Sequence, residues 1–426
     1  MYGVNFENNP DQRNILLYKG FVGYPLRKDF DIAKECPLDL QASPIESSVT
    51  LADDEQKMVL NFGPSHPATH GTIHLVLKLA GERIERADVH CGYLHRGFEK
   101  ECERHNWQNI IPFTDRLNYC SPLINNFAYA EAVEALAGIT INERCRYART
   151  LLSECARLCD HLTCIAASLM ELGAMTPFLY LMTIRDYFYE HLASLTGARL
   201  THSFVRFGGL KSELSNEWLA KLQEWLCFYE EYIKRVHALV DRNRIFIDRM
   251  RNTGVISTAD ALSLGFTGPL LRSTGFAYDL RKAAPYLAYG ELDFEIPVGI
   301  SGDNYDRYYV RMREMDESVS MIRQCMKKMQ AMAVQGLNSV NSDKTYFLPK
   351  IPVVSAGEIY KAHEGANGEL GFYIVSVGGK IPYKLHVRAP SFVHMGGFHK
   401  MIEGDQLADI IATFGTINMI GGECDR

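Results

Sequence analysis

The sequence predicts an α+β protein, mainly α: a helical bundle flanked by an N-terminal β hairpin region and a C-terminal β hairpin. Three observations carry this. Apolar residues recur at three- and four-residue spacing through much of 98–342, they alternate with a period of two around 58–80, and that alternation returns over 370–390 about a Gly-Gly turn. The chain has 426 residues, long for one core, and divides into an opening block at 1–32, a linker at 33–57 and a main domain at 58–426.

The opening block carries two proline turn signals, Asn9-Pro10-Asp11 and Tyr24-Pro25, and is too short to bury a core alone. Residues 33–57, AKECPLDLQASPIESSVTLADDEQK, mix prolines, serines and acids without a period, as a linker does. MVLNFG and TIHLVLKLAGE then predict two strands around the polar loop Pro64 to Gly71. RYARTLLSECARLCDHLTCIAASLMEL lacks proline and glycine and predicts a long buried helix over 145–172, ended by Gly173. Further helices are expected over 178–197, 215–242, 258–264 and 307–335, separated by FGGL, GFTGPLLRSTG and PVGISGD. LGFYIVSVGGKIPYKLHVRAP predicts a hairpin, and 397–414 a closing helix.

Composition removes several classes of function. Hydrophobic residues make up 47% and charged residues 23%, which argues against disorder, and no apolar run approaches the ~18 residues of a spanning helix. A net charge of -6 and a pI near 6.2 give none of the clustered basic surface that nucleic acid requires. The 11 cysteines include no CxxC pair, so neither a disulfide framework nor a zinc ribbon is expected, and most should be free, buried thiols. The first residues, MYGVNFENNPDQRN, lack a secretory or transit pattern, and a protein of the cytoplasmic side is expected.

Three constellations carry possible chemistry. GPSHPATHG places His66 and His70 four residues apart on a tight loop. Such imidazoles serve as proton donors, as metal ligands or as parts of a structural turn, and spacing does not choose among them. HCGYLHRGFEK brings Cys91, His95, Arg96, Glu99 and Lys100 to a helix start, and FTDRLNYC adds Asp115, Arg116 and Tyr119. Charges in that apolar, Gly-bounded context fit either a site or a buried ion-pair network.

GPSHPATHG, GYLHRGFEK, DRLNY, LGAMTPF, LRSTGFAYDLRKAAPY, FEIPVGISGDNYDRY and the closing ECDR stand in the order found in the D subunit of respiratory complex I, which 58–426 therefore resembles. The opening MYGVNFENNPDQRNILLYKGFVGYPLRKDF is similar to the C-terminal signature of the neighbouring C subunit, so the chain looks like a C–D fusion that begins in mid-signature, from a truncated start or a longer fused gene. The D family is related to nickel-iron hydrogenase large subunits, whose fold this resemblance implies. Their metal centre takes four thiolates from two CxxC pairs. Here Leu94 stands three residues after Cys91 and Gly421 three before Cys424, so each pair has lost a member and hydrogenase chemistry is excluded.

The resemblance implies a subunit of a proton-pumping NADH:quinone oxidoreductase, with quinone as substrate and no metal or flavin of its own. The quinone would be reduced by an iron-sulfur cluster on the adjacent subunit. Tyr119 and His70 match the family's headgroup donors, Glu171 the carboxylate that holds the histidine, His66 and Ile420 the pocket wall, and Arg96 and His202 the cluster side. Departures are Glu171 where most relatives have Asp, Thr201 where they have His with His202 one place later, Val377 for a common Asp, and a shorter segment at 326–369. Implied partners are the cluster-bearing B subunit, the C and I subunits and the membrane-embedded H subunit, at the cytoplasmic face of a bacterial inner membrane or the matrix side in an organelle. The rival expectations are the equivalent subunit of a ferredoxin-fed or other-donor quinone oxidoreductase, and a scaffold without catalytic role.

Overall fold

The computed structural model describes residues 57–426 apart from 338, 342–344 and 348–349. The expectations for the block at 1–32 and for all of the linker but its last residue lie outside the described residues.

Three strands open the fold: β1 (Lys57–Phe62), β2 (His74–Ala80) and β3 (Arg83–His90) form an antiparallel meander in the order β1-β2-β3. The expected hairpin is thus two strands of three. RIERADVH hides the third because it buries only Ile84 and Ala87, leaving no apolar alternation to see. A short ladder, β4 (Val205–Arg206) with β5 (Gly209–Leu210), interrupts the helices. The C-terminal sheet joins β6 (Val354–Glu364), β7 (Glu369–Gly379) and β8 (Lys384–Arg388) in that order. The predicted hairpin is β7–β8. β6 was not legible because most of VSAGEIYKAHE faces outward.

Helices fill the space between: α1 (Phe98–Cys102), α2 (Trp107–Thr114), α3 (Pro122–Ala137), α4 (Glu143–Glu171), α5 (Met175–Thr196), α6 (Asn216–Val240), α7 (Arg244–Met250), α8 (Thr258–Ser263), α9 (Gly268–Ser273), α10 (Leu280–Ala283) and α11 (Asn304–Val334). After the second sheet come α12 (Pro390–Gly396), α13 (Phe398–Ile402), α14 (Asp409–Ile417) and α15 (Gly421–Cys424). α4 is the axis of the bundle and packs on α3, α5, α11 and α14. Its 29 residues span about 43 Å. Several buried charges along it are paired: Arg149 holds Glu134 at 2.7 and 2.8 Å, Arg157 and Arg281 flank Glu154, and His161 meets Glu314 at 2.8 Å. A buried charge is tolerated when paired and hydrogen-bonded in this way.

The helix expected over 397–414 is broken between α13 and α14. Its middle is needed elsewhere. Gly404 donates to the Ile84 carbonyl at 2.8 Å, Asp405 accepts from the Ile84 amide at 3.0 Å and Leu407 donates to Glu82 at 2.9 Å, so this stretch covers the start of β3. Among the described residues eight cysteines, Cys102, Cys120, Cys145, Cys155, Cys159, Cys164, Cys325 and Cys424, are free and buried, the small-hydrophobe role expected of most of them.

Candidate functional site

His70 is presented by a tight turn. His66 caps the short 3-10 turn Pro67–Thr69, its Nδ1 accepting from the Ala68 amide at 3.2 Å, which leaves Nε2 to carry the proton of the neutral ring. The Thr69 hydroxyl bonds the Pro64 and His66 carbonyls at 3.1 and 3.0 Å. His70 then takes a left-handed conformation at φ 52° and Gly71 follows at φ 75°. That reversal feeds the chain into β2 and turns the imidazole outward, with 49% of the side chain exposed.

Glu171 reaches this turn from the far end of α4. The helix starts at Asn142, whose side chain accepts from the Cys145 amide at 2.8 Å, and stops because Gly173 adopts φ 84° and donates to Met170 at 2.8 Å. Its last residue is therefore fixed in place. Glu171 Oε1 lies 3.3 Å from His70 Nε2, and its side chain is only 9% exposed. Helix α14 closes over the pair. Phe414 meets the His70 ring edge-on at 5.7 Å, and Gly415 leaves the room that the carboxylate occupies, since a Cβ there would sit 2.5 Å from Glu171 Oε2.

Tyr119 lies on the loop between α2 and α3, and its neighbours are clamped. Asp160, buried on α4, accepts from Asn118 Nδ2, Ser121 Oγ and Asn418 Nδ2, each at 2.7 Å. Between two anchored residues, Tyr119 keeps 42% of its surface exposed. Burial of the rest, then the thiol of Cys120 and the charge of Asp160, raise its pKa, with Arg96 opposing; the phenol is a neutral donor at pH 7. Asp160 and Glu171 are eleven residues apart, so on an α-helix they share one side, about 16 Å apart along the axis. One helix thus steadies both proposed donors, although no direct hydrogen bond joins Tyr119 to His70 among the described residues.

The remaining expected residues divide. Arg96 is exposed and hydrogen-bonds the Arg116 carbonyl at 2.5 Å and Gly422 at 3.5 Å; burial and then Arg116 lower its pKa, opposed by Asp425 and Tyr119. Ile420 is buried at the start of α15, its amide bonded to Ser391 Oγ at 3.3 Å. His202 is 4% exposed. Burial lowers its pKa to about 4 against a weak pull from the Arg199 backbone, and neither ring nitrogen makes a well-formed hydrogen bond. The flanking Thr201 and Ser203 are both left-handed, at φ 52° and 43°, and Ser203 is tied to Asp115 through its amide, at 3.0 Å, and its hydroxyl.

In the sequence Cys91 and Cys424 are only the survivors of broken pairs. The fold brings them together with Asp425, their ligand atoms all within 4.8 Å of one another. The closeness of the two thiols lowers the pKa of Cys91 and raises that of Cys424. Asp425 accepts from the Gly92 and Leu94 amides at 2.9 and 2.8 Å. A cavity of about 290 Å³ opens beside them, lined also by His95, Glu99, Phe392 and Arg426.

Comparisons with known proteins agree along the whole chain. Residues 171–426 match the family described as respiratory-chain NADH dehydrogenase, 49 Kd subunit, and residues 1–36 match the respiratory-chain NADH dehydrogenase, 30 Kd subunit. The chain is 60% identical over 399 residues to the NADH-quinone oxidoreductase D subunit of Pelobacter propionicus, covering 90% of this chain and 99% of that one. It is 44% identical over 421 residues to the first of the D subunits of Sorangium cellulosum, covering 94% and 100%. With the fused C/D subunit of Bdellovibrio bacteriovorus it shares 40% over 452 aligned positions, 100% of this chain and 80% of that one, as a fusion requires. The chain therefore belongs to the 49 Kd, or D, subunit family of respiratory-chain NADH-quinone oxidoreductase, complex I, with a 30 Kd, or C, subunit remnant at its N-terminal end.

Proposed function

We propose that this subunit forms the quinone-reduction site of a proton-translocating NADH:quinone oxidoreductase. Tyr119 and His70 would donate to the two carbonyl oxygens of the headgroup. The His70–Glu171 contact at 3.3 Å carries the reading, because it joins an outward-facing imidazole to a nearly buried carboxylate from another element. Reducing a quinone takes two electrons and two protons, so the protein must place donors and exclude stray water. With Nε2 directed at Glu171, the imidazolium form still offers Nδ1–H to a quinone oxygen, whereas the corresponding neutral tautomer offers only a lone pair there. Glu171 thus orients the ring so that Nδ1 is the nitrogen left to face the headgroup. His66 and Ile420 line the pocket in this proposal, and Arg96 faces an iron-sulfur cluster on the adjacent subunit, where a cation favours the reduced state. His202, neutral and interior, is assigned no part.

The partners proposed are the cluster-bearing B subunit, the C and I subunits and the membrane-embedded H subunit, with the chain peripheral at the cytoplasmic face. No helix among the described residues is long and apolar enough to cross a membrane. The chain should hold neither nickel-iron centre nor flavin.

The test is a complex carrying Tyr119→Phe, which removes one hydroxyl with little change of shape. Assembly and NADH oxidation by an artificial acceptor should be normal, while quinone reductase rate falls about tenfold to a few hundredfold, as for loss of about 1–3 kcal/mol when one donor to the enclosed headgroup is removed. An unchanged rate and KM with short-chain quinones would overturn the assignment.

A further inference from the structure

We propose that Cys91, Cys424 and Asp425 form a binding site for one soft divalent cation of the zinc class, which pins the loop after β3 to the C-terminal helix α15. The expectation of no metal rests on the absence of CxxC pairs, but the fold assembles one survivor of each. It adds a carboxylate. Zinc binds thiolate sulfur at about 2.3 Å and carboxylate oxygen at about 2.0–2.2 Å, so tetrahedral ligand atoms stand roughly 3.5–3.8 Å apart. Three donors within 4.8 Å of one another need only small side-chain adjustments to reach that spacing, and both cysteines are free.

The surroundings are those of a metal site. The Gly92 and Leu94 amides orient the Asp425 carboxylate at 2.9 and 2.8 Å and leave a lone pair on each oxygen, as the supporting hydrogen bonds around metal ligands do. His95 Nδ1 lies 3.3 Å from the Asp425 carbonyl and donates to it, which directs its other nitrogen to act as an acceptor. The cavity gives an entry path and room for a water as fourth ligand. Binding forms two metal–sulfur bonds and one metal–oxygen bond and releases the two thiol protons to solvent. Thiolates select this class of ion over calcium or magnesium. A nickel-iron centre is a different object, since it takes four thiolates and Leu94 and Gly421 fill the other two places.

The experiment uses the full-length chain, reduced and stripped of metal, titrated with Co²⁺ alone, and has no quinone readout, so it stands apart from the proposed function. A thiolate-to-cobalt charge-transfer band should saturate at one Co²⁺ per chain and be displaced by Zn²⁺. Cys91→Ser and Cys424→Ser should each abolish it with an unchanged far-ultraviolet circular dichroism spectrum, the exposed Cys227→Ser should keep it, and Asp425→Asn should weaken binding about 10- to 100-fold. Zinc should also raise the thermal midpoint of the wild-type chain and not that of Cys91→Ser. No band in the reduced wild type, or a band of equal size in the Cys91→Ser, Cys424→Ser double variant, would overturn the proposal.

Discussion

Gly415 matters through the side chain it lacks. Alanine is the better helix former by about 1 kcal/mol, so propensity alone favours Gly415→Ala on α14. Its Cβ would nevertheless lie 2.5 Å from Glu171 Oε2, and that oxygen is buried with no hydrogen-bond partner, so the carboxylate has to move. The bond to His70 is then lost without altering either residue. Gly415→Ala should leave assembly intact and reduce quinone reductase rate about tenfold, a barrier change of about 1.4 kcal/mol. A rate equal to that of the wild type would mean that Glu171 does not govern His70. Glu171 itself fits at the end of α4 by lying over a glycine.

Helix α4 is the element that makes the site one object, since Asp160 holds the Tyr119 loop and Glu171 holds His70. In Asp160→Asn one acceptor oxygen becomes an NH₂ facing either the donors of Asn118 and Ser121 or that of Asn418, now placed at 2.7 Å. Stability should fall by about 1–3 kcal/mol. If Asp160 is a positioning residue for Tyr119, KM for quinone should also rise while electron transfer to an artificial acceptor stays normal; a drop in stability with unchanged KM and kcat would leave it a purely structural clamp. The helix was legible in the sequence because its apolar period runs unbroken from Asn142 to Gly173, and so was the β7–β8 hairpin with its Gly-Gly turn. β3 and β6 were not, because each buries too few residues to alternate. The site was legible only through its resemblance to the D family. Its contacts join residues 101 positions apart, as in His70–Glu171, or more than three hundred, as in Cys91–Cys424, and no periodicity reports such pairs.

Over the whole molecule, buried titratable groups set how stability changes with pH, and they act in opposite directions. Burial holds His191 and His202 at about 4 and His394 at about 3. Between those values and the ordinary ~6.5 the unfolded chain binds more protons than the folded one, so stability falls as pH drops below about 6.5. Glu423 works the other way. Burial raises its pKa to about 7, with Asp160 adding to the rise and bonds from Ser391 and Asn367 opposing it. Between the unfolded value near 4.5 and about 7 the folded chain holds the extra proton, so this group costs stability as pH rises through that window and its full cost is present above it. A difference of about 2.5 units corresponds to about 3 kcal/mol. Glu423→Gln cannot ionise and keeps an acceptor oxygen for Ser391. It should therefore match the wild type within about 1 kcal/mol at pH 5 and exceed it by up to about 3 kcal/mol at pH 8, where the wild-type carboxyl must ionise without water. Denaturant midpoints of both proteins at the two pH values measure this directly, and a stability difference that does not grow between pH 5 and pH 8 would show that Glu423 is already charged at pH 5.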